Sequence, residues 1–237
     1  MTAYDDMTTP ADAPHPRAVV FDVDGTLVDT NYLHAVTWWE ALRQAGHHVA
    51  MTDVHRTIGM PSGGLLDRLL GPDRDRDEDD ALSAAHKTLY ATWFDRLPAH
   101  NGAAALLRAL ADRDWRVVLA TSAQGSELSA LRRALDADDA IRAATSADDV
   151  EAGKPAPDPV EQALAEADVP PARALFVGDT VWDVKAARAA GVDCVALLCG
   201  GIGRAELEEA GAVAVYRDPA DLLASLDDSP FARLDGS

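Results

Sequence analysis

Hydrophobic and polar positions along this chain follow two alternating patterns, and together they predict an α/β protein. Short runs rich in β-branched residues indicate buried strands, whereas Ala- and Leu-rich stretches with apolar positions three or four residues apart indicate helices. The predicted strands lie at 18–22, 116–121, 174–177, 192–198 and 213–216, with a shorter candidate at 141–145. The predicted helices between them lie at 102–114, 126–135, 159–167, 182–190, 204–210 and 220–226. Such alternation is typical of a parallel sheet covered by helices on both faces.

The alternation is interrupted between residues 30 and 98, where the pattern is helical throughout. Helices are predicted at 30–45, 65–70 and 80–97, and a loop rich in Gly and Pro lies at 59–64. An insert of this size, placed directly after the first strand, is suited to act as a lid. We therefore divide the chain into a disordered tail (1–16), a core (17–30 and 99–227), a helical cap (31–98) and a loose C-terminal tail (228–237).

Charge and composition narrow the range of partners. The 237 residues include 40 acidic and 21 basic side chains, which gives a formal net charge of −19. Such a chain repels nucleic acids and anionic membranes, so neither is expected as a partner. An anionic ligand would need local cations or a bound metal ion. Because no apolar run has the length of a membrane span or of a secretion signal, we expect a cytoplasmic protein.

Candidate chemical groups cluster at the ends of the predicted strands. Asp22 closes the first strand and Asp24 follows two residues later; two carboxylates so close together require a cation or a shared proton. The carboxyl ends of parallel strands meet at one edge of the sheet, so groups distant in sequence converge there. Carboxylates, hydroxyls, an ammonium group and backbone N–H groups can together stabilise a phosphoryl group during transfer. The other groups at or just after strand ends are Thr121, Ser122, Lys154, Asp179 and Asp183.

Three motifs occur in an order that resembles the haloacid dehalogenase superfamily of aspartate-nucleophile phosphotransferases. They are Asp-x-Asp-Gly-Thr at 22–26, Lys-Pro at 154–155 and Gly-Asp-x-x-x-Asp at 178–183. Each motif alone is a weak signal, whereas the ordered set is specific. The resemblance extends over residues 17–227 and is strongest to the subgroup that contains phosphoglycolate phosphatases and β-phosphoglucomutases. It implies a doubly wound, Rossmann-like parallel sheet with an inserted helical cap.

The resemblance also implies roles for individual residues. Asp22 would attack phosphorus and form an aspartyl-phosphate, and Asp24 would protonate the leaving oxygen and then activate water. Mg²⁺ would be held by the Asp22 side chain, the Asp24 carbonyl and Asp179, with few protein ligands and several waters, as Mg²⁺ prefers. The groups assigned to phosphate binding are Thr121, the backbone of Ser122, and Lys154. The supporting positions are Gly25, Thr26 and Asp183.

Three cap residues are candidates for contact with the substrate. His34 lies on the first insert helix, Arg56 just before the Gly/Pro loop, and Gly59 within it, at the position of the family's specificity loop. A packing or hinge role for His34 is equally open. The mutase-type enzymes carry an arginine shortly after the equivalent glycine, whereas residues 60–64 here contain none. This difference disfavours a mutase, although Arg56 and Arg68 are alternative cations.

The sequence thus predicts a Mg²⁺-dependent phosphatase that hydrolyses a small phosphomonoester through an aspartyl-phosphate. The alternatives are a sugar-phosphate mutase of the β-phosphoglucomutase type and a non-catalytic binding protein on a phosphatase scaffold. The expected partner is a small phosphorylated metabolite, and the expected assembly is a monomer or a homodimer.

Overall fold

The computed structural model describes residues 16–145 and 152–235, and these contain one six-stranded parallel sheet. Its strands are β1 (Arg17–Phe21), β2 (Trp115–Ala120), β3 (Ala143–Thr145), β4 (Ala174–Gly178), β5 (Asp193–Leu197) and β6 (Ala214–Tyr216). Their order is β3-β2-β1-β4-β5-β6, so the sheet grows in opposite directions from β1. This reversal creates the switch point at which open α/β sheets bind ligands. The predicted doubly wound fold is confirmed.

Helices cover both faces of the sheet. In chain order, the helices of the described residues, including those of the inserted segment, are α1 (Asn31–Gln44), α2 (Met51–His55), α3 (Ser62–Leu70), α4 (Asp79–Ala91), α5 (Ala103–Ala111), α6 (Gly125–Leu135), α7 (Asp158–Ala167), α8 (Val181–Ala189), α9 (Arg204–Ala210), α10 (Pro219–Ala224) and α11 (Pro230–Asp235).

Strand β1 shows why its apolar run is continuous. Val19 and Phe21 pack into the hydrophobic cluster on one face, and Ala18 and Val20 into the cluster on the other. Because side chains alternate across a strand, burial on both faces requires apolar residues at every position.

Helices α1 to α4 lie between β1 and β2 and have a hydrophobic cluster of their own. Trp38 and Leu42 of α1 are buried in it together with Leu66 of α3 and Leu82 of α4. Burying each such side chain contributes about 1.5–3 kcal/mol, so the helical segment has its own source of stability. This separate cluster supports the predicted division into core and cap. We use "cap" for residues 31–98.

The structure differs from the sequence-based expectation in three places. The helix predicted at 80–97 ends at Ala91, because the Trp93 N–H bonds to the Tyr90 carbonyl three residues back and a short 3₁₀ turn follows. Helix α2 was not predicted, since five residues are too few to show a period. The expectation of a loose tail at 228–237 is wrong for α11, where Phe231 is fully buried and packs edge-on against Trp115. Of the predicted N-terminal tail, residues 1–15 lie outside the described part of the chain.

Candidate active site

Three buried carboxylates meet where β1 and β4 end. Asp22 follows β1, and its N–H bonds to the Val177 carbonyl of β4 at 2.9 Å, which fixes it at the sheet edge. Oxygens of Asp22, Asp179 and Asp183 lie within 4.8 Å of one another. Burial, opposed by Lys154 and reinforced by Asp183, raises the pKa of Asp22 to about 7. Burial, together with the charges of Asp183 and Asp22, also raises the pKa of Asp179 well above its usual value. For all three carboxylates to be ionised at neutral pH, the cluster therefore needs positive charge from other groups.

Lys154 supplies part of that charge. Its Nζ contacts a carboxylate oxygen of Asp22 and lies 2.6 Å from Asp183 Oδ1. Burial lowers the pKa of Lys154, but the charges of Asp183 and Asp22 outweigh burial and hold this pKa above its usual value. With all three carboxylates ionised, one ammonium group leaves two negative charges uncompensated. That surplus matches a divalent cation.

The surroundings of Asp179 also fit a divalent cation. Thr26 Oγ1 donates to Asp179 Oδ1 at 2.7 Å, and Asn31 Nδ2 donates to Oδ2 at 2.6 Å and to the Gly200 carbonyl at 3.2 Å. The Asn31 Oδ1 atom is buried without a hydrogen-bond partner among the residues described. An unpaired carbonyl-type oxygen beside carboxylates is the hard donor set that Mg²⁺ and Ca²⁺ select. Asp22 and Asp179 would hold such an ion, and Asn31 would bond to one of its waters.

Asp183 holds the loop that carries Asp179. Its Oδ2 accepts hydrogen bonds from the Thr180 N–H at 3.0 Å, the Thr180 hydroxyl at 2.6 Å and the Asp179 N–H at 3.3 Å. The Asp183 N–H in turn bonds to Thr180 Oγ1, which completes a capping box at the start of α8. Since its other oxygen faces Lys154, Asp183 positions both the ammonium group and the neighbouring carboxylate.

Asp24 belongs to a second group of side chains, on the cap side of Asp22. Its Oδ1 accepts from the Thr30 hydroxyl at 2.7 Å and lies 3.2 Å from His34 Nε2. Burial raises the pKa of Asp24, but the bond to His34, the charge of His34 and the Thr30 bond together lower it below its usual value. Burial likewise lowers the pKa of His34, and the bond and charge of Asp24 overcome this and raise it. The pair therefore carries its proton on His34.

His34 makes a further contact with a second histidine. Its Nδ1 lies 3.1 Å from Nε2 of His86 on α4, and the His86 ring stacks on Trp38 with 4.3 Å between centroids. Burial, followed by the charges of His34 and Lys87, lowers the pKa of His86 to about 3. A neutral His86 accepts the Nδ1–H bond of a protonated His34. The line Asp24–His34–His86 thus runs from the strand edge into the cap.

Comparison with known proteins identifies the family of this chain. The family model of the haloacid dehalogenase-like hydrolases matches residues 16–191. A phosphoglycolate phosphatase from Rhodospirillum rubrum is 34% identical over 220 residues, which cover 87% of this chain and 89% of that protein.

The chain belongs to the haloacid dehalogenase-like hydrolases.

Solved structures agree with this assignment. A hydrolase from Pseudomonas syringae superposes with a TM-score of 0.85 at 36% sequence identity, covering 90% of this chain and 98% of that one. A β-phosphoglucomutase from Clostridium difficile superposes with a TM-score of 0.79 at 18% identity, covering 94% and 100% of the two chains, which is evidence for the fold alone. The resemblance inferred from the three motifs is confirmed, and so is the expectation that the chain is an enzyme of the hydrolase class.

The remaining core candidates of this hydrolase lie around the same edge. Thr121 Oγ1 accepts from the Ala123 N–H at 3.0 Å and lies 3.5 Å from Asp24 Oδ2. Ser122 is exposed beside it. Gly25 has a positive φ of 82°, and a Cβ there would lie 2.3 Å from the Asn31 side chain. Only glycine fits between the strand end and α1.

The cap candidates separate into two groups. His34 contacts Asp24, as described above. Gly59 has a φ of 95°, and a Cβ there would lie 3.1 Å from Thr180 Oγ1 and 3.3 Å from Trp182, so the cap loop packs closely on the core. Arg56 instead forms an ion pair with Glu206.

Three residues of this site were missed by the sequence interpretation. Asn31 and His86 are described above, and Glu127 lies in the first turn of α6. Burial and the charge of Asp24 raise the pKa of Glu127 to about 7. The position of Asn31 directly after the Asp-Thr pair could have indicated that it lies near the strand end. For His86 and Glu127, helical periodicity gives no such indication.

Among the described residues, none of the helices combines the length and apolar character needed to span a bilayer. Both cysteines are free thiols, as expected, and Cys194 is buried within β5.

Proposed function

We propose that the chain is a Mg²⁺-dependent phosphatase that hydrolyses a small phosphomonoester through an aspartyl-phosphate on Asp22. One observation carries this proposal. Asp22 stands at the switch point of the sheet between a lysine ammonium group and the Asp179 carboxylate. Asp24, two residues further on, forms a proton-carrying pair with His34 of the cap. This arrangement supports the proposal, because the reaction needs a nucleophile, a cation site and an acid–base group around one space.

The residues suggest how each step would proceed. An Asp22 oxygen attacks phosphorus while the bond from phosphorus to the leaving oxygen breaks, and that oxygen takes a proton passed from His34 through Asp24. Water then attacks the phosphorus of the aspartyl-phosphate, and its proton returns through Asp24 to His34 as Asp22 leaves as a carboxylate. Mg²⁺ would offset the charge of the transferring phosphoryl group. Lys154 would stabilise the same charge from the opposite side of Asp22.

Phosphoglycolate is the first substrate to test, because the relative from Rhodospirillum rubrum is a phosphoglycolate phosphatase. A mutase has less support. It must hold a second phosphate, whereas residues 60–64 contain no arginine and Arg56 is paired with Glu206, which leaves Arg68 as the alternative cation. Interconversion of a sugar phosphate that depends on a bis-phosphate primer would reverse this preference.

The Asp22→Asn variant tests the proposal. We expect phosphate release from phosphoglycolate and from an aryl phosphate to fall by about a thousandfold or more, because an amide is a poor nucleophile. Asp29→Asn is the matched control, since Asp29 is an exposed acid in the same loop. Mass spectrometry of acid-quenched enzyme should find phosphate on Asp22. An Asp22→Asn variant that folds and retains a tenth of the activity would refute the assignment.

A further inference from the structure

A cavity lies between the cap and the core, and none of its lining residues has a role in the proposed reaction. Its volume is about 420 Å³, which suits a small metabolite. The cap contributes Arg56, Ile58 and Arg68 to its wall, and the core contributes Trp182, Lys185 and Ile202. The side chains of Ile58, Trp182 and Ile202 are buried and give it an apolar floor.

The rim of this cavity is positively charged, in a chain whose net charge is −19. Arg68 Cζ lies 5.5 Å and Lys185 Nζ lies 4.9 Å from the centroid of the same Trp182 ring. Within the described part of the chain, neither Arg68 nor Lys185 has a carboxylate partner. Glu206 is the one acidic residue among those that line the cavity, and it pairs with Arg56. Two exposed cations from different segments therefore lie against one ring with no counter-ion among the described residues. An anion placed near both would be attracted by each of them.

The carboxylates of the proposed active site are not among the residues that line this cavity. Gly59 of the cap loop packs closely on Thr180 and Trp182 of the core at this point. Thr180 also lines the cavity, but its hydroxyl is already occupied by a hydrogen bond to Asp183. A ligand held at Arg68 would therefore rest on residues other than the proposed nucleophile.

We propose that this cavity binds a small carboxylate- or phosphate-bearing anion, distinct from the phosphoryl group being transferred, between Arg68 of the cap and Lys185 of the core. The Trp182 ring provides the apolar surface on which the body of the ligand rests. An anion held in this way bridges the two segments and favours the closed arrangement of the cap over the core. The inference does not depend on the proposed phosphatase activity, because it concerns binding alone.

Isothermal titration calorimetry of the full chain with Mg²⁺, using malonate as the probe, tests the proposal. Malonate carries two carboxylates and no phosphoryl group. We expect the wild-type protein to bind malonate. The double variant Arg68→Gln/Lys185→Gln should bind it at least about tenfold more weakly, because it has lost the charge-assisted hydrogen bonds. The matched control is Arg96→Gln/Arg188→Gln, which removes one cap cation stacked on a tryptophan and one exposed cation of α8 away from the cavity.

Kinetics then identify the source of the anion. If the double variant raises KM for phosphoglycolate but not for an aryl phosphate without a second anionic group, the two cations belong to the substrate pocket, and the proposal of a separate anion is overturned. If malonate affinity falls while both KM values stay unchanged, the ligand is a separate metabolite. Absence of malonate binding to the wild-type protein at millimolar concentration, or an equal loss of affinity in the control variant, would overturn the proposal.

Discussion

Replacing His86 by Phe should change how the stability of the protein depends on pH. Phe preserves a flat apolar ring against Trp38, on which His86 stacks with an interplanar angle of 9°. The substitution removes the imidazole of α4 that contacts His34 and leaves Tyr90, the other ring of α4 against His34, in place. The charged groups facing this ring are His34 and Lys87, which lower its pKa, and Asp24, which raises it.

The size of the effect follows from the pKa of His86, which burial lowers from its ordinary value of 6.5 to about 3 in the folded protein. Between these values the unfolded chain binds the His86 proton and the folded chain does not, so lowering the pH favours unfolding. Each pH unit in this window costs about 1.4 kcal/mol, so the fall from pH 6.5 to pH 5 costs the wild-type protein about 2 kcal/mol. His34 adds no slope there, because its raised pKa leaves it protonated in both states below pH 6.5.

Urea unfolding at a series of pH values between 7.5 and 5 measures this difference. We expect the free energy of unfolding of wild type to fall by about 2 kcal/mol more than that of His86→Phe over the window, which corresponds to about 4–8 °C in Tm. His48→Gln is the matched control, because His48 is exposed and its change should leave the slope as in wild type. Parallel pH profiles for wild type and His86→Phe would refute the argument that His86 is buried in the neutral form.

Two further substitutions test the support of the carboxylate cluster. Asp183→Asn should lower the free energy of unfolding by about 3 kcal/mol. This value is at the lower end of the range for a broken buried ion pair, because Lys154 keeps its contact with Asp22. A loss below about 1 kcal/mol in urea unfolding would contradict this prediction. Gly200→Ala should weaken Mg²⁺ binding about tenfold in a calorimetric titration, because disturbing the groups that support a metal ligand typically lowers metal affinity by about tenfold or more. Its Cβ would lie 1.6 Å from Asp179 Oδ2, whereas the control Gly63→Ala places a Cβ with no atom within 4 Å. Equal affinities in the two glycine variants would exclude the steric argument.

The strand-end carboxylates could be predicted because their signal is local in sequence. An apolar run that stops at Asp22 predicts both a buried strand and a carboxylate at its end, and the same reasoning applies to Asp179 after β4. Parallel pairing then brings the two ends together without any knowledge of side-chain contacts. Phe21 and Val177 are register partners in the sheet, which is why the residues that follow them are close.

Lys154 and Thr26, which contact these carboxylates, were predicted as site residues, whereas the contact of His86 with His34 could not be predicted, because it depends on how the helices of the cap pack. His86 is 52 residues from His34, and its contact exists only because α1 and α4 lie side by side. On the sequence alone, a histidine on a helix with buried neighbours has no distinguishing mark. The C-terminal helix was missed for a related reason, since the single buried aromatic Phe231 is too short a pattern to predict a helix.

The first turn of α1 joins the two halves of the site, and this arrangement has a consequence for the cap. Thr30, which precedes the helix, bonds to Asp24, as does His34 one turn later, whereas Asn31 bonds to Asp179. A rotation of α1 that moves the cap would therefore alter the surroundings of Asp24 and Asp179 together. Substitutions deep in the cap core, such as at Leu66, would destabilise the cap without changing these contacts. The first turn of α1 thus connects the cap to both carboxylates, beside the packing of Gly59 on Thr180 and the contact of His55 with the Gly200 carbonyl.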